Sequence, residues 1–161
     1  MNVNDLGKVD SQKMYQIYDK WHEIAKDSFD DDFEKFDVKG IDHIVFSGMG
    51  GSGSIGDVMS AILSKEDIHI SNVKGYHLPK TVDSNSLVVA TSISGNTKET
   101  LSVLEKAQKT DAKIAIFSSG GMIQEFSKTN NLFFQEITNV FTNVCKYDSC
   151  CSFVINCFSF S

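Results

Sequence analysis

A chain of 161 residues makes one domain, or one domain with short extensions. Its 41% apolar content supports a packed core, and no apolar run reaches the roughly 18 residues needed to cross a membrane. A net charge of −6, with 15 lysines and no arginine, argues against a nucleic-acid partner and excludes a guanidinium clamp on any anion.

The polar, acidic start Met1 to Asp10 lacks the basic opening and apolar stretch of a secretion signal, so the expected location is the cytoplasm. From Ser11 to Phe29, apolar residues recur at Met14, Ile17, Tyr18, Trp21, Ile24 and Ala25. This spacing predicts one helix with an apolar stripe, capped by Asp10 or Ser11. The acidic stretch Asp27 to Asp37 reads as a solvated connection. A strand–loop–helix rhythm follows. Strands are predicted at Ile41–Phe46, Ile68–Val73, Leu87–Thr91, Lys113–Phe117 and Leu132–Ile137. Helical spacing appears after the first strand (Ile55, Val58, Met59, Ile62, Leu63), the third (Leu101, Leu104, Ala107) and the fourth (Ile123, Phe126). Such alternation implies α/β architecture, with a five-stranded parallel sheet covered by helices on both faces and one helix in front. Ligands of such sheets bind at the carboxyl ends of the strands. The expected organisation is residues 1–40 as helix and connection, 41–137 as the domain, and 138–161 as an anomalous tail.

Three loops at that edge draw attention. Gly48-Met49-Gly50-Gly51-Ser52-Gly53 matches G-x-G-x-x-G. A dinucleotide site would also need a carboxylate near the end of the second strand, where Ser71-Asn72-Val73 offers none, and a P-loop would need G-K-[ST]. What remains is either a tight strand–helix turn or an anion cradle of backbone N–H groups, with Ser52 adding a hydroxyl. Ser92-Ile93-Ser94-Gly95-Asn96-Thr97 favours the cradle. It places three hydroxyls and an amide at a second helix start, more than one cap requires. Ser118-Ser119-Gly120 is a third loop of similar character. The first two loops together describe a pocket for a phosphate ester that works without arginine.

GMGGSG, SISGNT and FSSGG, each after its strand, resemble a sugar isomerase (SIS) domain, most closely the first half of archaeal-type bifunctional phosphoglucose/phosphomannose isomerases, over Val9 to Ile137. The resemblance implies a flavodoxin-like three-layer sandwich. It implies phosphate binding by Ser52, Ser92, Ser94 and Thr97, with backbone contact from Gly51. The implied ligands are glucose 6-phosphate, mannose 6-phosphate and fructose 6-phosphate, interconverted through an enediol without metal or other cofactor. In the family, a glutamate moves the proton, a histidine and a lysine assist ring opening, and a homodimer builds the site between domains and subunits. Those catalytic groups belong to a second half. A proline-arginine motif expected after the fifth strand is absent, and the catalytic residues of this chain are unassigned. A sugar-phosphate sensor and a single-domain ketose-phosphate isomerase are the alternatives.

The remaining candidates read modestly. His22 is expected to be solvated, and His43 and His69 to be packed or bonded within strands. His77 is a candidate for reaching the pocket. Glu99 complements a helix dipole, and Lys98 reads as a solvated helix lysine. The four cysteines, Cys145, Cys150, Cys151 and Cys157, form no C-x-x-C pair and have no nearby histidine, so no metal is expected. A disulfide knot is disfavoured in the cytoplasm. The abrupt change of composition near Ile137 predicts a frameshift or truncation there.

Overall fold

The computed structural model describes residues 38–137 throughout, together with residues 10, 14–20, 22–23, 26 and 36. The elements are α1 (Met14–Asp19), β1 (His43–Ser47), α2 (Gly51–Ile62), β2 (His69–Val73), β3 (Ser86–Ser92), α3 (Lys98–Ala107), β4 (Lys113–Ser118), α4 (Gly121–Asn130) and β5 (Phe133–Glu136). The five strands pair in parallel in the order β2-β1-β3-β4-β5. The expected sheet is therefore present, with strand ends within two residues of those predicted.

Alternation along the central strands divides the core into two layers. Ile44, Phe46, Leu87, Val89, Ala115 and Phe117 face Ile55, Met59 and Leu63, at and just beyond α2. Val45, Val88, Ala90, Ile114 and Ile116 face Val103, Leu104 and Ala107 of α3 and Ile123 of α4. The reversal of strand order at β1 has this effect, because right-handed crossovers leaving β1 and β3 in opposite directions land on opposite faces. β1 and β3 are buried along their whole length, as continuous apolar strands require.

One expectation, a solvated connection before β1, is corrected, and two features go beyond the sequence reading. β2 (HISNV) is an edge strand, exposed at His69 and Asn72 and buried only at Val73, so its polar residues suit it. The apolar stripe of α2 is broader than its buried face: Val58 and Ile62 are each 50% exposed. The connection before β1 is not wholly solvated, since the Phe36 ring packs edge-on against Phe133 at 5.1 Å and Val38 joins the same core layer. Asp10 accepts a hydrogen bond from the Tyr15 backbone N–H at 3.0 Å, from four residues before α1 rather than from the capping position next to it. Trp21 and the segment 138–161, with all four cysteines, lie outside the described residues, so the readings placed on them do too.

Candidate functional site

β1 and β3 are neighbours, with Ser47 opposite Ala90, so the loops that follow them open side by side at the carboxyl edge. At this point the strand order reverses and the chain leaves the two strands in opposite directions, the place where open α/β sheets hold their ligands.

The first loop enters α2 through Gly50, whose φ of 56° favours glycine. No side chain caps this helix, so its first N–H groups, Gly51 and Ser52 among them, face outward with the helix dipole behind them. Ser52 is half-buried in that first turn. Gly53 lets the helix close on the loop, since a Cβ there would stand 2.7 Å from Gly48 O and 3.2 Å from Lys74 Cγ.

The second loop enters α3 at Thr97, again without a side-chain cap. The Thr97 and Ser92 hydroxyls lie 2.8 Å apart and hold each other across the turn. Ser94 is exposed, and its Oγ accepts the Asn96 N–H at 3.3 Å. Ser52, Gly51, Ser92, Ser94 and Thr97 thus belong to two adjacent strand-to-helix junctions. Ser92 is buried and already paired, so the hydroxyls it and Thr97 offer act as a unit.

The third loop differs from what its composition suggests. Ser118 Oγ donates to Ser92 O at 2.7 Å, and Ser119 Oγ donates to Ile93 O. At the start of α4, the Met122 N–H donates to Asn96 Oδ1 at 3.1 Å and the Ile123 N–H to Gly95 O at 2.9 Å. The serines of the third loop therefore hold the second loop in shape, and Asn96 caps α4. Composition could not distinguish a scaffold serine from a ligand serine, because the difference lies in where each hydroxyl finds its acceptor.

Two buried groups passed over in the sequence lie at the end of β1 and the start of α3. Ser47, the last residue of β1, and Thr100, in the first turn of α3, are buried. Among the described residues their hydroxyls have no hydrogen-bond partner. Buried hydroxyls are normally satisfied, and leaving one unpaired costs about 1–3 kcal/mol.

Glu99 is engaged, accepting a hydrogen bond from Tyr76 Oη at 3.1 Å. That bond, then burial and the Glu99 charge, holds the Tyr76 phenol above its usual range. Lys106 Nζ donates to Tyr76 O, so the β2–β3 connection is fastened to α3. His77 is exposed on that connection.

His43 begins β1, at the opposite edge from the crevice, and His69 begins β2 beside it. Their rings are 4.7 Å apart, and Ser71 Oγ lies 2.9 Å from His43 Nε2 and 3.3 Å from His69 Nε2. Burial, followed by the neighbouring His69, holds His43 below its ordinary value of 6.5. The Thr81 backbone, Asp42 and Asp83 act in the other direction. The unfolded chain therefore takes up this proton more readily. Stability should fall as the pH drops through about 6.5 and level off below the folded value. Melting curves between about pH 8 and 5.5 should show this loss, and His43→Gln should flatten it. An equal slope in the variant would show that His43 is not its source.

Residues 39–132 match the SIS domain family, and the chain belongs to it. It is 43% identical over 83 residues to a bifunctional phosphoglucose/phosphomannose isomerase from Thermoplasma acidophilum, covering 52% of this chain and 26% of that protein. It is 33% identical over 117 residues to a D-glucosamine-6-phosphate 4-epimerase from Sulfolobus acidocaldarius, covering 72% of this chain and 36% of that protein. The chain thus spans about a quarter to a third of these relatives. The fold matches tagatose-6-phosphate ketose/aldose isomerase from Escherichia coli with a TM-score of 0.59 at 14% identity, over 92% of this chain and 42% of that one. This is a SIS domain by family, related to bifunctional phosphoglucose/phosphomannose isomerases. No described helix is long and apolar enough to cross a membrane, and no described group of three or more His, Cys, Asp or Glu residues could hold a metal ion.

Proposed function

We propose that this chain is the phosphate-binding module of a phosphoglucose/phosphomannose isomerase, taking glucose 6-phosphate, mannose 6-phosphate and fructose 6-phosphate. The observation that carries the reading is the reversal of strand order between β1 and β3, where two helix N-termini without side-chain caps open side by side. A phosphate monoester suits that edge: backbone N–H groups and hydroxyls meet its oxygens, and two helix dipoles favour its charge without any arginine. Gly51 and Ser52 supply one side of the cradle; Ser92, Ser94 and Thr97 supply the other. The likeness to the Thermoplasma isomerase supports a hexose phosphate as the ester. In this reading the full-length protein is a cytoplasmic homodimer that uses neither metal nor organic cofactor.

Aldose–ketose isomerisation moves a proton between adjacent carbons and needs a base within hydrogen-bond reach. Glu99, the carboxylate in the first turn of α3, is bonded to Tyr76. The purified 161-residue chain should therefore bind fructose 6-phosphate in calorimetry and show little or no turnover in a coupled isomerase assay. Robust turnover would contradict this assignment and favour a single-domain isomerase. The engagement of Glu99 also favours a second reading, a sensor that binds sugar phosphates without chemistry. Adding the second half of a related isomerase in trans separates the two, because restored turnover identifies the enzyme module.

A further inference from the structure

We propose that Lys74 is a positioning cation of the phosphate site, swinging between Asp57 and the bound anion; this rests on the reading of the site given above. Lys74 follows β2 directly and lies at the same sheet edge as the first loop. Its stem passes so close to Gly53 that a Cβ there would stand 3.2 Å from Lys74 Cγ. Its ammonium points along α2 to Asp57, with Nζ 2.6 Å from Oδ2.

Gly53 and Asp57 are four residues apart and share one face of α2. From the level of Gly53, Asp57 lies about 6 Å toward the helix C-terminus, and Gly51 lies about 3 Å toward the N-terminus. A lysine rooted at that level can reach either end by rotating its flexible stem. Both partners of the ion pair are about half exposed, at 46% and 54%, and such pairs are held weakly. Asp57 does not depend on Lys74 for its place, since its Oδ1 accepts a hydrogen bond from Asn72 Nδ2 at 3.1 Å. Gly56 makes that approach possible: a Cβ there would stand 2.8 Å from Asn72 Cγ. The two glycines, one turn apart, leave α2 bare where the end of β2 descends on it. In a chain without arginine, a lysine is the permanent cation that can meet a phosphate, and the stem of Lys74 lies against the helix that cradles it.

The proposal gives the two halves of one ion pair opposite effects. In calorimetry with fructose 6-phosphate and with inorganic phosphate, Lys74→Gln should weaken binding by about three- to tenfold. Lys74→Arg should keep the affinity. Asp57→Asn should strengthen it by about two- to fivefold, because the lysine is released and a negative charge is removed. Asp57→Ala serves if the Asn variant folds poorly. The salt dependence of binding should be shallower in Lys74→Gln than in the unsubstituted chain. If the chain binds, Ser52→Ala weakens binding, and Lys74→Gln changes it less than about twofold, then Lys74 has no role and the site stands. A weakening by Asp57→Asn overturns the exchange between carboxylate and ligand. No binding by the unsubstituted chain overturns both proposals.

Discussion

Gly95→Ala is expected to destabilise the domain by at least about 3 kcal/mol, a loss of roughly 12 °C or more in Tm for a domain of this size. Two effects combine. The φ of Gly95 is 68°, a conformation that side chains rarely adopt. A Cβ there would collide with Gly120 O, standing 2.5 Å from its carbonyl carbon and 2.9 Å from Ser118 Oγ. The obstacle is backbone from the neighbouring loop, so no rotamer change relieves it. Gly95 O also accepts the Ile123 N–H at 2.9 Å, which ties the loop after β3 to the start of α4. Chemical denaturation measures the effect, with Gly75→Ala as the control, because a Cβ on Gly75 meets nothing within 4 Å. A Gly95→Ala domain within about 1 kcal/mol of the unsubstituted one would mean that the two loops do not interlock as described.

Ser52→Ala and Thr97→Ala should each weaken fructose 6-phosphate binding by about 1–3 kcal/mol, roughly five- to 150-fold, the range for losing a hydrogen bond to a charged group. Their effects on stability should differ. Ser52 stands in the open first turn of α2, so removing its hydroxyl should leave the melting temperature nearly unchanged. Thr97 holds the Ser92 hydroxyl at 2.8 Å, and Ser92 is 2% exposed. Removing the Thr97 hydroxyl strands that buried group at a cost of about 1–3 kcal/mol, which Thr97→Ser should restore. Calorimetry and thermal melting on the same samples separate the two effects. An unchanged affinity in Ser52→Ala would place the phosphate elsewhere.

Much of this was legible without coordinates. The apolar runs at 41–46, 87–91 and 113–117 became buried central strands, because a strand covered on both faces must be apolar throughout. The two Ser- and Gly-rich loops fell after β1 and β3 as read, since glycine and small hydroxyl residues carry their own local geometry. The edge position of β2 was not legible. Its alternation of Ile and polar residues fits several sheet positions, and only pairing assigns one. Nor was the breadth of the buried face of α2, where Val58 and Ile62 share the helical spacing of the core residues yet stand half exposed.

By itself the sequence determined the class of sheet, the loops that carry polar groups, and the absence of a guanidinium clamp. These follow from residue type and short-range spacing. The tertiary structure decided which serines hold another loop. It made Ser118 and Ser119 donors to the backbone after β3, turned Asn96 into the cap of α4, and brought Lys74 against Gly53 and Asp57. Each of these contacts joins residues 17 to 26 positions apart or rests on the close approach of two separate elements. Local propensity carries no information about such partners. They are set by the order in which the strands pair and by how closely glycine lets the elements meet.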